Sequence, residues 1–133
     1  PDVVVCLAPI TPATQGMIGE HEISLMKPGT VFVNVSRGAI VDSDALIERL
    51  KKNDMIACLD VFEPEPVPVD SPVREMTNVF LTPHIAGVNI IGGPRFFRLM
   101  VDEMERFFAG HDTRFDLLPR TLANRSGGPV PQG

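Results

Sequence analysis

Four apolar runs in the chain are each followed at once by residues that can do chemistry. Ala8-Pro9-Ile10-Thr11 follows the first and Ser36-Arg37-Gly38 the second. Asp60, then Val61-Phe62-Glu63-Pro64-Glu65-Pro66, follows the third, and Thr82-Pro83-His84-Ile85-Ala86-Gly87 follows the fourth. Arg37 offers a planar fork of donors that matches a substrate carboxylate. His84 carries an imidazole, which takes or gives a proton near neutral pH. A carboxylate beside that ring would orient it and favour its charged form, and either Glu65 or Asp60 can serve. A carboxylate clamp with an acid/base imidazole suits oxidation of a 2-hydroxy acid, in which the hydroxyl proton and a hydride leave together. These residues offer no hydride acceptor, so that chemistry needs a cofactor.

The elements that must position these groups are legible as well. The runs are Asp2–Leu7, Thr30–Val35, Met55–Leu59 and Asn78–Leu81, most of them rich in β-branched residues. None alternates strictly with polar residues, as expected of parallel strands covered on both faces. Helical patterns separate them. Glu20 to Met26 is a short one, stopped by Lys27-Pro28-Gly29. Asp42 to Lys52 has an acidic start, an apolar face of Leu46, Ile47 and Leu50, and two lysines at its end. Ser71-Pro72 predicts one or two turns to Met76, and Pro94 opens a longer helix ending at Gly110. On that helix Phe96, Phe97, Met100, Val101, Met104, Phe107 and Phe108 form one stripe, read as core or subunit contact. Phe115 to Ala123 reads as a short terminal helix, and Asn124 to Gly133 as a disordered end.

Strands alternating with helices predict an α/β domain with a parallel sheet. In such sheets ligands bind outside the carboxyl ends of the strands, which is where the arginine, the carboxylates and the histidine fall. His21 and His111 lie elsewhere, in a helix and a polar turn.

Composition narrows the classes. The chain has 133 residues, 44% hydrophobic and 22% charged, which suits one domain with its own core. No apolar run is long enough to span a membrane. A net charge of −5 argues against a nucleic-acid surface, and without Trp or Tyr any base stacking would rest on Phe. Cys6 and Cys58 lie inside apolar runs and read as core residues, which makes the cytoplasm the default compartment. Three scattered histidines and two strand cysteines have no metal-ligand spacing. A hydrolase triad of Ser36, His84 and Asp60 lacks the Gly-x-Ser-x-Gly elbow.

At these positions the sequence resembles the D-isomer-specific 2-hydroxyacid dehydrogenases, the group that includes phosphoglycerate dehydrogenases and glyoxylate/hydroxypyruvate reductases. The likeness is carried by Asp2–Thr14 with Met17-Ile18, by Met26–Asp42, and by Leu59–Pro66 followed by Leu81–Gly87. It implies that Arg37 binds the substrate carboxylate, His84 is the acid/base and Glu65 its carboxylate partner, leaving Glu63 as loop charge. It implies that Asp60 holds the carboxamide of NAD or NADP. Ala8, Pro9, Val35, Ser36, Arg37 and the turn His84, Ala86, Gly87 would line the cofactor cleft. A small 2-hydroxy or 2-keto acid would be the substrate, with a homodimer as the assembly.

The Gly-x-Gly-x-x-Gly turn and the acidic residue that such enzymes carry do not occur in these residues. The expected fold is therefore the C-terminal half of a doubly wound, Rossmann-type NAD-binding domain over residues 1–110, with 111–133 as a C-terminal segment. Pro1 at the start and the missing turn predict a piece of a longer protein, inactive by itself. The competing readings are a non-catalytic, NAD-sensing binding module of the co-repressor kind and an inactive remnant. The first would keep its biology in catalytically dead variants.

Overall fold

Four parallel strands in sequential order, β1 (Val3–Cys6), β2 (Val31–Asn34), β3 (Ile56–Leu59) and β4 (Val79–Leu81), make one sheet. The structure is a computed structural model and describes residues 1–87 and 92–116. Val3 pairs with Val31, Val31 with Ile56 and Leu59 with Leu81, so all four strands present their carboxyl ends along one rim. Each strand is shorter than its apolar run by one or two residues, because the run's ends turn away to make connections.

Helices α1 (Glu20–Ser24) and α2 (Ser43–Leu50) supply the first apolar layer. Asp42 caps α2 by accepting the Ala45 N–H at 3.0 Å, which satisfies one of the orphan donors of the first turn. Glu22 accepts the Gly19 N–H at the start of α1. Its own backbone N–H and that of Gly19 hold its carboxyl below the ordinary carboxylate range. Ile23, Leu46 and Leu50 are buried with Phe32, Ala57 and Leu59 from the strands. The buried Arg49 donates to the Met26 carbonyl and pairs with Asp54, so its charge is not stranded in the apolar layer. Asn78 donates to the carbonyls of Leu50 and Met55, both at 3.0 Å, tying the end of α2 to the entry of β3. The segment Ser71–Met76 forms one 3-10 turn, Pro72–Arg74, anchored by the buried Val73.

The other face of the sheet departs from expectation. Val3, Val5, Ile56 and Phe80 are about half exposed or more. Their partners one position along, such as Cys6, Phe32 and Ala57, are buried. The apolar runs suit strands covered on both faces, and residues 1–84, which hold the sheet, cover only one side. Cys6 is buried as read, whereas Cys58, on the open side, is only partly so; both are free thiols.

A bare, mostly aliphatic sheet face is a strong drive to association. The 133-residue chain by itself is expected to run above monomer mass in light scattering at tens of micromolar; a sharp monomer peak there would refute this.

The described residues fall into two compact units, which divide after His84. The first holds the sheet, α1 and α2. The second carries α3 (Gly92–Phe108), which begins two residues before Pro94 and ends before Gly110, whose φ of +73° suits a residue without a side chain. After α3 the chain folds back locally. Arg106 Nε donates to the Asp112 carbonyl at 2.9 Å, and Glu103 accepts the N–H groups of Arg114 and Phe115. The Phe/Met stripe of α3 is not core here, since Phe97, Phe107 and Phe108 are each about two-thirds exposed or more. The terminal helix read from Phe115 begins on non-helical residues and otherwise lies, like the tail from Asn124, outside the described residues.

Candidate active site

Asn34 is the last residue of β2 and is fully buried. Its side-chain amide donates to the Arg37 carbonyl and its oxygen accepts the Ser36 N–H, both at 3.1 Å. The turn that carries Arg37 is thus held by a buried amide rather than by a strand ladder. Ser36 adds a second tie, its hydroxyl donating to the Ala8 carbonyl at the end of β1. Arg37 itself is exposed, and among the described residues no carboxylate pairs with it. Its Nη1 donates to the Ser36 carbonyl at 2.6 Å, and an exposed guanidinium with no carboxylate on it has further N–H groups to offer an anion.

Gly38 lies against the backbone of the acidic loop. A Cβ on it would lie 2.0 Å from the Phe62 carbonyl oxygen, 2.1 Å from the Phe62 carbonyl carbon and 2.7 Å from the Glu63 nitrogen. The peptide that opens the acidic loop is therefore seated directly on the residue after Arg37, and only glycine leaves room for it.

Asp60 follows β3 and is 4% exposed. It accepts the Thr82 hydroxyl at 2.5 Å, and its N–H donates to the Asn34 carbonyl. The Asp60 carbonyl in turn accepts the His84 N–H at 2.9 Å. That bond helps hold His84 at φ +54°, in the left-handed region that a non-glycine residue enters at a cost. The imposed backbone carries the ring toward the acidic loop, where Nδ1 lies 2.9 Å from Glu65 Oε1. Both side chains are close to 40% exposed, so the pair is open to solvent and to a small ligand.

The residues read from the sequence are thereby located. Arg37, Asp60, Glu65 and His84 all sit beyond the carboxyl ends of β2, β3 and β4. Of the two carboxylates that could face the imidazole, Glu65 does, while Asp60 is engaged with Thr82. Glu63 is exposed loop charge. Ser36 and His84 do not form a nucleophile–base pair, because the Ser36 hydroxyl donates to Ala8 and the His84 ring meets Glu65. Ala8 is half-buried, Pro9 and Val35 are exposed, and Ala86 and Gly87 are exposed in the second unit.

Asn34, Gly38 and Thr82 were missed by reading residue types. A polar residue closing an apolar strand, a glycine directly after the arginine and a hydroxyl directly after β4 were the available signals.

The donor set suits a nicotinamide. Asp60 is acceptor-only when ionised and stands at the rim, as a carboxamide NH2 requires. Ala8, Pro9 and Val35 offer apolar surface beyond the ends of β1 and β2 for a flat ring. Strand ends of a parallel sheet are also where such groups bind.

Residues 1–86 match the family described as D-isomer specific 2-hydroxyacid dehydrogenase, NAD binding domain. The chain is 48% identical over 85 residues to glyoxylate/hydroxypyruvate reductase B of Enterobacter sp. (strain 638), a match covering 63% of this chain and 26% of that protein. It is 47% identical over 91 residues to D-3-phosphoglycerate dehydrogenase of Escherichia coli (strain K12), covering 65% of this chain and 22% of that one. Among solved structures it resembles a D-isomer specific 2-hydroxyacid dehydrogenase from Xanthobacter autotrophicus Py2 in complex with NADPH and MES. There the TM-score is 0.77 and the identity 39%, over 90% of this chain and 49% of that one. The chain thus spans about a quarter of the length of the two curated relatives it matches.

Proposed function

Because the chain belongs to the D-isomer specific 2-hydroxyacid dehydrogenase family, through its NAD-binding domain, we propose that it supplies the acid/base half of an enzyme that interconverts a small 2-keto acid and its D-2-hydroxy acid. The observation that carries this reading is the Glu65–His84 pair at 2.9 Å on the same strand rim as Arg37. The working protein on this reading is a polypeptide of its relatives' length, in which residues 1–110 form part of the cofactor domain and a homodimer is the assembly.

In reduction, Arg37 binds the substrate carboxylate through its fork and orients C2. A nicotinamide would be held by Asp60, with Ala8, Pro9, Val35 and Ser36 offering surface to it, and when bound would supply the hydride for C2. His84 delivers a proton from Nε2 to the former carbonyl oxygen, which becomes the hydroxyl. Glu65 accepts from the Nδ1–H throughout, which fixes the ring orientation and leaves Nε2 for substrate. The oxidation runs the same steps backward, with His84 taking the hydroxyl proton.

The test is Arg37→Ala in the full-length enzyme, followed by NADH and NADPH oxidation with glyoxylate and hydroxypyruvate. Loss of charge-assisted hydrogen bonds worth about 1.5–3 kcal/mol lowers kcat/KM roughly 10- to 100-fold. The loss should fall mainly on KM for the keto acid. Wild-type kcat/KM in that variant, or no turnover of any 2-keto acid by the parent enzyme, would overturn the assignment.

A further inference from the structure

The loop that carries Glu65 has little backbone hydrogen bonding to hold it. Pro64, Pro66 and Pro68 remove every second N–H from Pro64 to Pro68. The residues from Glu63 to Pro66 are all exposed. Yet Glu65 must keep its carboxylate within hydrogen-bond reach of a ring on another element.

Arg74 supplies the missing tie. Its Nε donates to the Pro68 carbonyl at 2.7 Å and its Nη2 to the Val67 carbonyl. One planar group thus grips two successive carbonyls just downstream of Glu65. The grip is anchored, because Arg74 ends the 3-10 turn Pro72–Arg74, whose Val73 is 1% exposed in the core. Ser71 N–H donates to the same Pro68 carbonyl at 3.1 Å and closes the loop's far end. Arg74 and Glu65 also line one hollow of about 300 Å³ together with Asp60 and Thr82. A continuous path therefore runs from core, through Val73 and Arg74, to the loop, to Glu65 and His84.

We propose that Arg74 is a positioning residue that holds the Glu65 loop in register with His84. A lysine cannot span both carbonyls from a single nitrogen with the same planar geometry, so the arginine is used for its fork and not only its charge. The inference rests on reading Glu65 and His84 as the acid/base pair, and the experiment separates the two.

In the full-length enzyme, Arg74→Ala is expected to lower kcat about tenfold, as a displaced catalytic group does. KM for the keto acid should stay within twofold, since Arg37 is untouched. Arg74→Lys should recover part of the loss, and millimolar guanidinium should partly rescue Arg74→Ala. In a Glu65→Gln background, Arg74→Ala should add nothing further. An unchanged kcat in Arg74→Ala where Glu65→Gln is impaired would overturn the proposal. So would an equal loss from Arg74→Ala with and without Glu65, which marks a general structural role. If Glu65→Gln leaves kcat unaltered, the acid/base reading fails, and the clamp is judged by 15N relaxation of the full-length enzyme. There Arg74→Ala should drop the Val67 order parameter from about 0.85 to below about 0.6. An unchanged value overturns the clamp.

Discussion

Replacing His84 with alanine in the full-length enzyme is expected to cut kcat by about 10²- to 10⁴-fold, the range for loss of a positioned acid/base group. Among the described residues the rim offers no substitute. Glu65, the group beside the ring, is held toward Nδ1, and Asp60 is buried and bound to Thr82. Alanine also inherits a φ of +54°, which suits it poorly. The control is His84→Asn, because asparagine enters the left-handed region more readily than other non-glycine residues. His84→Asn should keep the melting temperature near that of the parent and lose as much activity as His84→Ala. A His84→Asn enzyme within twofold of the parent rate would remove the imidazole from the mechanism. Glu65→Gln should lose less, since it leaves the imidazole in place and weakens only its orientation.

The second large effect is expected at Gly38. Gly38→Ala would put a methyl about 2 Å from the backbone of Phe62, and backbone cannot rotate aside as a flexible side chain can. Overpacking of this kind costs about 1–3 kcal/mol or more. In a domain of this size that lowers the melting temperature by roughly 10 °C, readable by scanning calorimetry. The activity loss should exceed what instability explains. The displaced peptide is the first of the loop that leads to Glu65, and Gly38 adjoins Arg37, so one methyl pushes Arg37 and the Glu65–His84 pair apart. A folded Gly38→Ala variant with the parent's melting temperature and rate would mean that the two loops do not meet there.

Strand positions and the ends of α2 were readable because they follow from local rules. Aliphatic runs bounded by Pro and Gly need a sheet, and Asp42 before an amphipathic segment needs a helix start. The candidate residues were readable for a topological reason: parallel strands put their carboxyl ends on one rim, so whatever follows each run is brought together. The state of the apolar surfaces was not readable. The stripe on α3 and the odd-numbered valines of β1 look like core by composition, and their exposure depends on what else is present to cover them. The choice between Glu65 and Asp60 could not be made from residue types either, since both are carboxylates after the same strand. Family likeness pointed to Glu65, and the coordinates show why Asp60 is otherwise engaged: Thr82, two residues before the histidine, brings its hydroxyl to it.

By itself, then, the chain's order of residues determined which elements form, their parallel arrangement and the inventory of groups at the rim, because these depend on patterns within a few residues and on one rule of sheet connectivity. The tertiary structure alone decided the pairings: the imidazole with Glu65, the buried amide of Asn34 under the Arg37 turn, the Phe62 peptide against Gly38 and the Arg74 fork on Val67 and Pro68. Those contacts join residues as far apart in the chain as Gly38 and Phe62 at ångström tolerance. No local pattern encodes them, since each exists only once the layers have packed.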